Sequence, residues 1–175
     1  MRLPLSISCT LVTATILAFV PASLADKAPA AVVTVSQAAP YAENSGVADV
    51  VKNECQLDTR LPEFIRDFAK DDPKVVLTAD PLEKAGGRVL VLQISSVTGL
   101  SGGAWSGPKS VVVKGELKEG GKVIGSFTAA RFSTGGAFAV LKGTCTIFGR
   151  CIKTLGQDIA GWLKKPTMNA RLGNA

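Results

Sequence analysis

Cys145, Phe148, Ile152, Leu155, Ile159 and Trp162 recur at steps of 3, 4, 3, 4 and 3, which puts them on one stripe of an α-helix. Lys164 and Lys165 suit the negative end of that helix, and Pro166 stops it. Gly149, Gly156 and Gly161 weaken it intrinsically, so tertiary packing must hold it, with small residues that allow close approach to a sheet. Upstream the period falls to two. Val111, Val113 and Leu117 alternate with Val112, Lys114, Glu116 and Lys118, the pattern of a half-buried strand. Gly120-Gly121 marks a hairpin, and the return strand runs from Val123 to about Phe132.

The remaining elements are shorter. Val89 to Val97 is apolar enough for a central strand, and Ala31 to Val35 and Val75 to Leu77 read as two more. Val47, Val50, Val51 and Cys55 have the spacing of a short helix. A second helix takes Asp58-Thr59 as its cap and Pro62 in its first turn, with Leu61, Phe64, Ile65 and Phe68 as its apolar face. Asp71-Asp72-Pro73 ends it. The predicted class is α/β (α+β), a mostly antiparallel sheet of about five strands with helices packed on one face. The strand–helix–strand start allows its first two strands to run parallel.

Residues 1–25 read as a signal peptide. Arg2 begins it, an apolar core runs from about Leu11 to Val20, and Ser23-Leu24-Ala25 offers small residues before a cut near Ala25. Cys9 precedes that core and so is no lipidation site. The expected organisation is a leader, first strand and loop over 26–46, one α/β domain over 47–165, and a flexible tail over 166–175. The mature form is expected in the periplasm or secreted, and not transmembrane.

Composition narrows the chemistry. The chain has 175 residues, a formal charge of +6 and no His, which removes Ser-His-Asp and Cys-His nucleophiles and any His-ligated metal. Aromatic residues make up 6 %, too few for a base-stacking surface, so no nucleic acid is expected. The net charge hides an asymmetry. Residues 26–83 carry 6 basic and 11 acidic side chains, a net of −5, and residues 84–175 carry 13 and 3, a net of +10. A polyanionic partner fits the basic half, although the two halves can also interleave and neutralise each other.

Three cysteines remain after the leader: Cys55, Cys145 and Cys151. In an oxidising compartment a disulfide is expected. Cys145 and Cys151 share the predicted helix roughly 9 Å apart, too far to bridge unless the helix starts after Cys145, so Cys55 is expected to pair with one of them, and Cys145 is the choice.

The glycine-rich loop 98–108 holds the residues with the most chemical interest. Trp105 is a candidate aromatic anchor or a lid over the core, with Lys109 and Lys114 the candidate cations of the following strand. Gly102 to Ser110 nearly spells a phosphate-binding loop, but Pro108 is one residue too many and a strand follows instead of a helix. Ser106 and Lys109 have serine/lysine spacing, but Gly107-Pro108 breaks the turn that chemistry uses. Asp71-Asp72 and Asp49 with Glu54 read as solvated surface, and Asp158 as a helix-surface partner of Lys153. No catalytic residue, metal or cofactor is assigned.

Gly86-Gly87-Arg88-Val89-Leu90, Trp105 to Ser110, Gly135-Gly136-Ala137, Gly143-Thr144-Cys145 and Leu155 to Leu163 together resemble a family of small exported proteobacterial proteins of unknown function. The resemblance covers roughly 47–165 and implies an α/β domain like that of small envelope lipoproteins, with no catalytic residues to carry over. The expected role is a non-enzymatic envelope binding or structural module. Its partner would be an envelope protein or an anionic envelope component, met by the basic half. Two alternatives stand beside it: an enzyme acting on envelope polymers through carboxylates, and a small-ligand binder at the Trp105 loop.

Overall fold

The computed structural model describes residues 31–99, 107–134 and 143–175. The leader 1–25 and Trp105 lie outside the described residues. Among the described residues one sheet of six strands carries the fold, in the order β2-β1-β3-β4-β5-β6. The strands are β1 (Val32–Ser36), β2 (Lys74–Thr78), β3 (Arg88–Thr98), β4 (Lys109–Glu119), β5 (Lys122–Ser133) and β6 (Ala170–Gly173). The helices are α1 (Asp49–Cys55), α2 (Leu57–Ala69) and α3 (Thr144–Leu163), with a short 3-10 turn at Leu82–Lys84.

The long central ladders, β3 with β4 and β4 with β5, are antiparallel. β1 runs parallel to both β2 and β3, and β6 runs parallel to β5. The predicted class therefore holds in outline, but the sheet has a sixth strand and its flanks are parallel. The sixth strand corrects the expected flexible tail, because Ala170 to Gly173 pair with Phe127 to Ala130. Four residues are too few for a periodic pattern to stand out. At the hairpin, Gly120 and Gly121 both have positive φ, 56° and 79°, the backbone that a two-residue turn between twisted strands requires.

α2 and α3 pack on one face of the sheet. Leu90, Leu92 and Ile94 of β3, Val111, Val113 and Leu117 of β4 and Phe127 and Ala129 of β5 meet Leu61, Ile65, Phe148, Ile152, Leu155 and Ile159 from the helices in a single buried core. Phe127 lies over Gly115, where a Cβ would stand 2.4 Å from its ring, and Trp162 meets that ring edge-on at 4.8 Å. Gly115 thus leaves the space that an aromatic bridge between sheet and helix needs.

The glycines of α3 differ from expectation. A Cβ on Gly156 would stand 2.5 Å from the Phe64 Cβ and 3.1 Å from its backbone carbon, and one on Gly149 would meet the Arg60 guanidinium at 3.3 Å. Both glycines face α2 and not the sheet. The bulky stripe fills the space towards the strands, leaving the small residues for the helix–helix seam. Gly161 has no neighbour within 4 Å of such a Cβ.

The start of α2 also departs from the predicted cap. Gln56, with φ of 50°, closes α1 and opens α2 in one left-handed residue, so Leu57 is already helical and fully buried. Pro62 consequently lies in the second turn. Having no N–H, it leaves the Asp58 carbonyl without its intrahelical donor, and the Ala39 N–H supplies one at 3.0 Å. The segment after β1 is thereby tied to α2 while it pairs with β3, through Ile94 N–H to Pro40 O at 2.9 Å and Val97 N–H to Ser45 O at 2.7 Å.

Cys55 and Cys145 form the expected disulfide, with Cα atoms 4.8 Å apart, joining the end of α1 to the start of α3. Cys151 is a buried free thiol whose Sγ donates to the Lys109 carbonyl at 3.6 Å.

Candidate functional site

Alternation along the strands decides what the uncovered sheet face presents. Because Leu92, Ile94 and Val113 point into the core, Gln93 and Lys114 point away from it, and both are exposed. Register then aligns four side chains across four strands: Gln93 opposite Lys114, Lys114 opposite Thr128, and Thr128 opposite Arg171. The adjacent row is Val91, Glu116 and Ser126. Together they line a shallow trough of about 850 Å³.

Two cations stand in the trough. Glu116 is the only acidic side chain among its described lining residues, and its carboxylate is taken by Lys118 Nζ at 3.3 Å. Lys114 and Arg171 have no ion pair within the described residues. Hydroxyl and amide groups fill the space around them. The Ser126 hydroxyl donates to the Asn169 side chain at 3.4 Å and accepts the Asn169 N–H at 2.9 Å, which fixes the start of β6 against β5. The arrangement offers dispersed positive charge, several neutral hydrogen-bonding groups and no nucleophile held by a base.

The predicted site residues separate. Lys114 lies in the trough, whereas Lys109, five residues earlier, is fully buried at the start of β4. Odd positions of β4 face the helices and even ones face out, so the two cations point to opposite sides of the sheet. Lys109 Nζ donates to the Gly107 carbonyl at 3.0 Å, and its stem packs against Gly99, where a Cβ would stand 2.4 Å from its Cδ. Burial pushes its ammonium pKa below the usual lysine value. Lys109 thus holds its own loop end rather than facing solvent.

Arg171, Thr128 and Gln93 were not legible as site residues. Arg171 falls in the supposed tail, and a lone Thr or Gln on a strand carries no signal without the register. Asp158 also changes partner. Its carboxylate takes two hydrogen bonds from Arg131 of β5, at 2.7 and 2.8 Å, so it ties α3 to the sheet instead of pairing with Lys153 along the helix. Those bonds raise the Arg131 pKa. Asp49, Glu54, Asp71 and Asp72 are exposed, and the described residues contain no group of three or more Cys, Asp or Glu side chains able to hold a metal.

No protein-family model matches the chain, and no curated protein matches it. Solved structures do share part of its path. A PelC dodecamer from Paraburkholderia phytofirmans is 14 % identical with a TM-score of 0.44, covering 74 % of this chain and 89 % of that one. A DUF330 protein from Xanthomonas campestris is 14 % identical with a TM-score of 0.44, covering 76 % and 83 %. A minor lipoprotein from Acinetobacter baumannii is 11 % identical with a TM-score of 0.41, covering 76 % and 90 %.

Proposed function

We propose that this chain is a non-enzymatic binding module of the bacterial envelope that holds an anionic saccharide on the open face of its sheet. The row Gln93–Lys114–Thr128–Arg171 carries the reading. Two cations at different strands match spaced carboxylates better than a single compact anion, while Gln93, Ser126 and Thr128 offer the neutral donors and acceptors that sugar hydroxyls use. The basic half supplies both cations. The disulfide and the predicted leader support an oxidising, extracytoplasmic compartment. Among the described residues no helix is long and apolar enough to cross a membrane.

The direct test is capture of the protein by an immobilised oligo-uronate, with neutral dextran as control. Capture should weaken between low and high salt, because exposed charges are screened beyond about 8–10 Å at physiological ionic strength. Equal binding to dextran and uronate, or none to either at low salt, counts against the proposal.

A further inference from the structure

The seam between α2 and α3 carries a second feature that the open sheet face does not explain. Arg60 and Phe64 of α2 and Thr146, Gly149, Arg150 and Lys153 of α3 line a groove of about 380 Å³ beside Cys145. The spacing explains why they meet. Positions 60 and 64 fall one above the other on α2, and 146, 149, 150 and 153 share one face of α3. The groove has three cations and no carboxylate among its described lining residues.

Arg60 is held in place without an acid among the described residues. Its guanidinium lies 5.6 Å from the centre of the Phe64 ring, and Gly149 leaves the room for it, since a Cβ there would crowd two of its nitrogens at 3.3 and 3.4 Å. A planar fork fixed against an aromatic ring, with the Lys153 ammonium lining the same groove from the facing helix, suits one compact anion with several acceptor oxygens.

We infer that the α2–α3 groove is a phosphoryl-binding site, taking a phosphomonoester or pyrophosphate group on Arg60 and Lys153. The site is separate from the sheet trough and stands whether or not that face binds a saccharide. Its phosphoryl group comes either from a soluble phosphate ester or from a lipid headgroup, and both present the same chemistry to the groove.

The experiment is titration of the oxidised protein with inorganic pyrophosphate by calorimetry, with sedimentation on phosphatidylcholine vesicles with and without phosphatidic acid. The variants are Arg60→Gln and Lys153→Gln, with Lys114→Gln as control. Lys153 is exposed on α3, so its substitution leaves the fold intact even if Arg60→Gln perturbs the seam. Saturable binding of pyrophosphate is expected, weakened about tenfold in each groove variant and unchanged in Lys114→Gln. Binding to phosphatidic acid vesicles with the same variant dependence identifies a lipid headgroup as the source, and its absence beside pyrophosphate binding identifies a soluble ester. No saturable binding of either probe overturns the inference, as does binding that survives both groove substitutions. Loss in Lys114→Gln alone also overturns it, and would assign the anion to the sheet face.

Discussion

Gly156→Ala and Gly161→Ala make the same chemical change on one helix and should act in opposite directions. Replacing an exposed helix-interior glycine with alanine gains about 1 kcal/mol of helix propensity. Gly161 is exposed and a Cβ there meets nothing within 4 Å, so the gain should appear in full. At Gly156 the added Cβ would stand 2.5 Å from the Phe64 Cβ and 3.2 Å from the Ile65 nitrogen. These neighbours are backbone and the root of a side chain, so they cannot swing aside, and α2 must move away from α3. Overpacking of this kind costs about 1–3 kcal/mol, which outweighs the propensity gain over most of that range. The expected difference between the variants is about 1–3 kcal/mol, or several degrees in Tm for a chain of this size. Thermal and urea unfolding of the oxidised proteins, followed by circular dichroism, measure it. Gly156→Ala matching Gly161→Ala in stability would refute the close packing of α2 on α3.

Other consequences follow from the same contacts. Replacing Cys55 and Cys145 together by Ala should cost about 4–5 kcal/mol by the chain-entropy argument for a separation of 90 residues, read from urea unfolding. Asp158→Asn should cost about 1–2 kcal/mol, with Arg131 left without its carboxylate in a half-buried setting, and Lys153→Gln should cost almost nothing. Cys151 should resist iodoacetamide at pH 8 in the folded protein and react once it is unfolded, because burial pushes its pKa from 9.0 to about 11. Since that pKa is raised on folding, its stabilising contribution is complete below pH 9 and disappears as pH climbs towards 11. A Cys151→Ala variant should therefore lose less stability over that interval than the parent, as unfolding at pH 8 and pH 11 would reveal.

What could be read from the chain divides by the distance over which residues speak to each other. The α3 stripe, the Gly120-Gly121 hairpin and the apolar β3 are local patterns, and each appears within a residue or two of its predicted place. Helix geometry excluded the nearer cysteine pair but left Cys55 two possible partners, and the choice of Cys145 is the one the fold makes. Non-local features escaped. Arg131 was not recognised as the partner of Asp158 because 27 residues separate them in the chain. Lys109 and Lys114 look alike in sequence, but strand phase sends one into the fold and the other out. β6 needed β5 beside it to become a strand, and with β6 came Arg171, the cation that completes the row. The charge asymmetry was visible from the start, while its resolution into a sheet-face pair and a helix-seam cluster required the fold.

The central claim, that Lys114 and Arg171 form one anion-binding surface, is tested most directly by oligo-uronate binding to the Lys114→Gln, Arg171→Gln double variant. Both residues are exposed, so the fold should be unchanged. Affinity at low salt should fall at least tenfold, and the remaining binding should lose most of its salt dependence. Unchanged affinity and salt dependence in that variant would contradict the account.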